Sequence, residues 1–313
     1  MAKTGKPQRR QERIHWRAVS GILLLDKPRG ISSNAALQRV RRIFRAAKGG
    51  HTGSLDPLAT GLLPICLGEA TKIAGLLLGS RKAYETECRL GQTTDSADAD
   101  GAVVDERPVP PLDAQRIEAA LLPLRGRIRQ VPPIYSALKR DGEPLYRLAR
   151  RGEHVEVEAR DALVHRFELI AMQGDRLRLH VECASGTYVR SLVRDLGDAL
   201  GCGAHVTALR RLWVEPFTAP HMLDLPALES LAAGNDLAAL DGVLLPIEAG
   251  LGGYAVVDLD DDAARRLRQG QAVVVASGVR GPCLARDALG VAVAFAEIDA
   301  HGTMRCVRGF NPD

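Results

Sequence analysis

Aromatic side chains are scarce in this 313-residue chain, where Phe, Trp and Tyr together make up 4% and tyrosine occurs five times. No run of about 20 apolar residues is present, which excludes a membrane-spanning helix. Cys66, Cys88, Cys183, Cys202, Cys283 and Cys306 are scattered, without a Cys-x-x-Cys pair or His/Cys ligand spacing. That argues against structural zinc and for reduced thiols in a cytoplasmic protein. Excess charge is lacking too, since 42 Lys and Arg against 38 Asp and Glu leave only +4. Such a balance does not by itself mark a polyanion partner. Around Gly68-Glu69-Ala70-Thr71-Lys72 the phosphate-loop spacing is missing, so no nucleotide cofactor site is expected. The acidic run from Asp95 to Gly101 imitates a calcium loop starting at Ser96, but its twelfth position is Arg107 rather than glutamate. Neither metal nor cofactor is expected.

The 46% hydrophobic content supports a substantial core, read as one large domain followed by a smaller one. Residues 1–17 are basic and lack the apolar segment of a secretory leader. They read as a mobile tail, either a solvated extension or an RNA-touching arm. Gly21 to Leu25 is a continuous apolar run, consistent with a buried strand ending in the turn Asp26-Lys27-Pro28-Arg29-Gly30. Ser32, Ser33 and Asn34 offer caps for a helix striped by Leu37, Val40, Ile43, Phe44 and Ala47. Its other face carries Arg39, Arg41, Arg42, Arg45 and Lys48, with no acid among them. Tyr84 to Leu90 alternates as a half-buried strand with Tyr84, Thr86, Cys88 and Leu90 on one face. A short helix follows from Asp113 to about Leu122.

Residues 131–160 read as an inserted basic lobe with Tyr135, Tyr146 and a second basic group, Lys139, Arg140, Arg147, Arg150 and Arg151. Its helix runs from Pro144 to Arg151 and ends at Gly152. The lobe is either a grip on an RNA loop or a solvated surface excursion. Residues 177–183 alternate as a strand, and Val189, Leu192, Val193, Leu196 and Leu200 stripe a helix closed by Gly201. Residues 223–248 read as helical, 250–253 as a linker, and 254–313 as strands around one helix, residues 263–268.

The stretch Gly50-His51-Thr52-Gly53-Ser54-Leu55-Asp56-Pro57-Leu58-Ala59-Thr60-Gly61 organises the chain. Three glycines and a proline shape it into a stiff loop rather than a helix or strand, and it carries one carboxylate and one imidazole. Alone, Asp56 also fits an ordinary turn aspartate. Arg190 falls in the first turn of its helix, where the positive dipole end disfavours a cation. That placement suggests a partner anion, and Asp56 is the candidate, held by a bidentate fork that lowers its pKa.

The loop resembles the catalytic loop of the bacterial tRNA pseudouridine synthase B family. The resemblance extends through Gly21 to Pro28, Arg81-Lys82-Ala83-Tyr84, Pro133 to Lys139, Gly186-Thr187-Tyr188-Val189-Arg190 and His205 to Arg211, in order. It implies an α+β fold: a mixed, largely antiparallel sheet catalytic domain over 18–249 and a small PUA-like β-barrel over 250–313. It implies isomerisation of uridine to pseudouridine at position 55, in the TΨC loop of tRNA. Asp56, Arg190 and Tyr188 would be the catalytic group, and His51, Tyr84, Tyr188, Leu209 and Lys27 would bind substrate, with no metal ligands. By periodicity alone Tyr84 is more often core than functional, and Leu209 fits ordinary core equally well. A monomer without a guide RNA or membrane attachment is expected. Two other readings are a non-catalytic tRNA-folding module and a guide-RNA-dependent pseudouridylase subunit.

Overall fold

Leu23 and Leu25 bury into one hydrophobic cluster, and Ile22 and Leu24 into another. This double burial is why the first strand is apolar without alternation. The computed structural model describes residues 15–311 apart from 137, 141, 152–154, 156 and 235. Most of the expected basic tail, the Gly152 helix end and the side chains of Lys139, Arg140, Tyr146 and Arg150 lie outside the described residues.

In chain order the elements are β1 (Gly21–Lys27), α1 (Ser33–Phe44), β2 (Gly49–His51), β3 (Thr60–Leu67), α2 (Ala74–Leu78), β4 (Lys82–Leu90), β5 (Gln92–Thr94), β6 (Val103–Glu106), α3 (Ala114–Leu121), β7 (Gly126–Gln130), β8 (Lys139–Arg140), β9 (Glu143–Pro144) and α4 (Leu145–Arg150). They continue with β10 (Arg160–Gln173), β11 (Arg176–Cys183), α5 (Val189–Ala199), β12 (Ala204–Val214), α6 (Leu225–Ala233), α7 (Leu237–Asp241), β13 (Ala255–Asp258), α8 (Asp261–Arg268), β14 (Val273–Val274), β15 (Gly281–Arg286), β16 (Ala292–Ile298) and β17 (Thr303–Gly309).

The main sheet runs β1-β3-β12-β4-β11-β10-β7, with β2 also on β3. Its ladders are antiparallel except β12 on β3. The α+β class is therefore realised as a mixed, largely antiparallel sheet. β10 and β7, neither foreseen as strands, pair from Arg160↔Gln130 onward. Residues 131–159 thus leave and re-enter the sheet at adjacent points. A five-stranded sheet, β13-β15-β16-β17-β14, ends the chain.

Local chemistry explains the helix bounds. The Ser32 hydroxyl accepts from the Ala35 amide, and Arg45 in a left-handed conformation ends α1 one turn earlier than expected. Ala47 therefore lies beyond the helix and is exposed, while Ala46 takes the buried place. The expected loop is also shorter than its sequence signature. His51 sits in β2 and Gly61 in β3, leaving residues 52–59 irregular.

The expected linker is a packed joint. Ile247–Leu251 forms a 3₁₀ turn in which Gly250 and Leu251 are buried. A Cβ on Gly250 would come within 2.8 Å of both Ile22 and Ile73. Phe295 of the terminal sheet and Phe310, just beyond its last strand, share a cluster with Ile22 and Leu62, and Lys72 Nζ donates to the Gly309 carbonyl at 2.7 Å.

Gly61 has φ +95°, and a Cβ there would lie 2.2 Å from the Arg211 carbonyl oxygen across the parallel β3–β12 contact. Gly61→Ala is expected to cost about 3 kcal/mol or more in urea unfolding. An unchanged midpoint would show that the two backbones separate freely.

Candidate active site

Three attachments stiffen the Asp56 loop. The Ser33 hydroxyl, at the start of α1, accepts from the Leu55 amide at 2.7 Å and donates to the Leu55 carbonyl at 3.0 Å. The Gly30 amide donates to the Pro57 carbonyl at 2.8 Å. Arg211, from β12, donates through Nε to Leu62 O at 2.7 Å and through Nη2 to Gly53 O at 3.2 Å. A loop with its backbone held on three sides can keep a reactive side chain in one place.

Arg190 reaches that loop from α5. Its Nε lies 2.9 Å from Asp56 Oδ2, with Arg190 4% and Asp56 40% exposed at the side chain. Its Nη1 donates to Ser96 O and its Nη2 to Tyr135 O, both at 2.8 Å, and Asp98 Oδ2 lies 3.3 Å from Nη1. The anion demanded by the helix dipole is thus supplied twice. The fork expected from sequence is not formed, because both terminal nitrogens are taken by backbone carbonyls. The expected lowering of the Asp56 pKa is also reversed. Crowding by protein raises the carboxyl above the ordinary carboxylate range, Arg190 pulls it down, and Asp98 raises it further.

Asp56 and Arg190 line a cavity of about 290 Å³ together with Tyr84, Tyr188 and Leu209. Register explains the grouping. Arg211↔Tyr84 and Leu209↔Thr86 are direct antiparallel partners, which place Leu209, Arg211 and Tyr84 on one face of the sheet. Tyr188 caps α5 by its backbone alone, and Gln130 fixes it from both sides. The Tyr188 amide donates to Gln130 Oε1 at 2.8 Å, and Gln130 Nε2 donates to Tyr188 O at 3.1 Å. Burial raises both phenols above their ordinary value.

Two sequence candidates stand apart from this group. His51 lines a second cavity of about 650 Å³, which shares Asp56 and Arg190 with the first and includes Asp98 and Tyr135. Burial and then the Arg211 charge lower its imidazole pKa. Lys27 is fully buried, donates to Pro28 O and Ile31 O, and lines neither cavity. It ties together the turn that follows β1, and burial, the largest cause, pushes its ammonium down to about 8.

Sequence reasoning assigned no role to Lys82, Ser136, Asp98, Gln130 or Arg211. Extending the alternation of β4 two residues back from Tyr84 would have found Lys82, which lines the first cavity and is likewise held at about 8, mainly by burial. Nothing comparable in the sequence marks Gln130 or Asp98.

The N-terminal-domain model of TruB family pseudouridylate synthases matches residues 41–189, and the model of the tRNA pseudouridylate synthase B C-terminal domain matches 190–252. tRNA pseudouridine synthase B of Xanthomonas campestris pv. campestris (strain B100) is 55% identical over 300 residues, covering 96% of each chain. Its namesake in Xylella fastidiosa (strain Temecula1) is also 55% identical, over 96% of this chain and 98% of its own. Among solved structures, an archaeal box H/ACA sRNP Nop10–Cbf5 complex aligns with TM-score 0.72 at 21% identity, covering 94% of this chain and 87% of that one. At that identity the likeness concerns the fold alone.

For a reaction that needs Asp56 ionised, Arg190→Gln removes the group that pulls its pKa down. The acid limb of the kcat/KM profile is expected to move to higher pH, and an unmoved limb would separate Arg190 from the ionisation of Asp56.

Proposed function

The chain belongs to the TruB family of pseudouridylate synthases, and from that premise we infer how its cavity carries out the family's reaction. The protein is an isomerase that converts uridine to pseudouridine in tRNA.

We propose that the target is the uridine at position 55, in the TΨC loop, and that the chain acts as a cytoplasmic monomer without a guide RNA. Support comes from the near-complete alignment with relatives named as tRNA enzymes. The cysteines are unpaired, and among the described residues no helix is long and apolar enough to cross a membrane. In this reading residues 131–160 form a basic lobe that grips the RNA loop, and residues 250–313 form a PUA-like module that adds backbone contacts. Residues 18–249 then form the catalytic domain.

The reaction breaks N1–C1′, turns the uracil and joins C5 to C1′. No electrons are exchanged outside the substrate, so no redox partner is required. A stacked base must first leave the RNA loop, costing a few kcal/mol that stacking and backbone contacts offset. Tyr84 is the plane on which the everted uracil stacks, and Leu209 supports its other side. Tyr188 stands near the C5 proton. Asp56 supplies the carboxylate at C1′ or C6, and Arg190 aims it. His51, in the adjoining cavity, fills the place the base vacates. The observation that carries this reading is one carboxylate 2.9 Å from a buried guanidinium, the two lining a cavity together with two tyrosines and a leucine.

Asp56→Asn is expected to lower turnover on a transcript with one T-loop uridine by about 10⁴-fold or more, with RNA affinity kept within about threefold. Retained turnover would remove Asp56 from its role. Arg190→Ala should lower turnover more than affinity; equal losses would make it a phosphate contact.

A further inference from the structure

Arg211 is the one guanidinium in the first cavity that this account leaves without a part in the chemistry. It is 1% exposed and heads the fully buried side chains by size. Its hydrogen bonds go to Leu62 O and Gly53 O, both neutral. Among the described residues no carboxylate lies within ion-pair distance of it. Arg190 faces Asp56 and Asp98, and Arg210, the preceding residue, forks onto Asp26 at 3.0 and 2.8 Å. An arginine does not shed its proton in a protein, so a buried one without a counter-charge is unfavourable for folding. The placement makes sense when the counter-charge arrives with the substrate.

The chemistry supplies that charge whichever way Asp56 acts. If the carboxylate adds to C6, the displaced electron pair moves onto O4. If it attacks C1′, or removes the C2′ proton, the N1–C1′ bond opens and its electron pair stays on the detached ring, shared by N1, O2 and O4. The same pair later forms the C5–C1′ bond, and the C5 proton then leaves, so nothing outside the substrate is oxidised or reduced. Every route therefore passes through a uracil bearing negative charge in this cavity.

We propose that Arg211 is a catalytic residue that stabilises the negative charge developing on the uracil ring. The proposal rests on the reading that the first cavity takes the target base. Arg211 lines that cavity and shares a face of the sheet with Leu209 and Tyr84, the two residues read as holding the base. Its field reaches across the site, since it contributes to the lowered ammonium pKa of both Lys27 and Lys82. A preorganised cation in a water-poor pocket is worth far more to a developing anion than to a neutral ground state.

The test compares two T-arm transcripts, one with uridine and one with 5-fluorouridine at the target, by single-turnover loss of the target nucleoside. The fluorinated ring is the more acidic and needs less help as an anion. Arg211→Gln is expected to slow the uridine transcript about 10²- to 10³-fold, and the fluorinated one at least about tenfold less, with RNA affinity within about threefold. Arg211→Lys, which keeps a charge, should fall between Gln and the parent. Equal slowing on both transcripts, slowing below about threefold, or a loss confined to affinity would overturn the proposal. If thermal melting shows that the Gln variant does not fold, the Lys variant carries the same comparison. Asp56→Asn run alongside separates the two claims. A live Asp56→Asn enzyme defeats the reading of the cavity, whereas a dead one with a flat Arg211 comparison defeats the Arg211 assignment alone.

Discussion

One guanidinium joins three parts of the chain that are distant in sequence. Arg190 meets the Asp56 loop, the turn holding Ser96 and Asp98, and the start of the 131–159 excursion at Tyr135. A cation at the positive end of α5 is poorly placed by the helix itself, and two carboxylates offset that. Because its two terminal nitrogens hold backbone carbonyls, Arg190 cannot swing away without freeing two loops at once. Asp56 therefore meets a partner that is itself immobile, and a single contact suffices to aim it.

The same economy accounts for what was legible in the residues and what was not. Asp56 and Arg190 could be paired from sequence because the misplaced cation suggested a partner anion and the family resemblance supported Asp56 as that anion. The grip could not, since competition from the carbonyls of Ser96 and Tyr135 leaves no trace in residue type. With the fork absent and the site crowded, the direction of the Asp56 shift was misjudged as well. Strands with one dry face were readable by alternation, as in β4 and β11. β10 was not, because its second half is largely exposed and its residues mix freely. Lys82 and Arg211 went unassigned because charged residues at inward positions look like interruptions of a pattern rather than members of it. The glycines at 250, 252 and 253 were read as slack, although at Gly250 the missing side chain serves close packing.

That last difference bears on how the protein meets a large, curved substrate. A body hung on slack chain samples many orientations and must surrender that freedom each time it binds. The terminal sheet instead shares apolar side chains with β1 and β3 and is bolted by Lys72 to Gly309 and by Glu248 to Ala292. It turns with the larger sheet as one frame, so the span between its outer edge and Asp56 is a fixed length, set when the chain folds and available as a ruler.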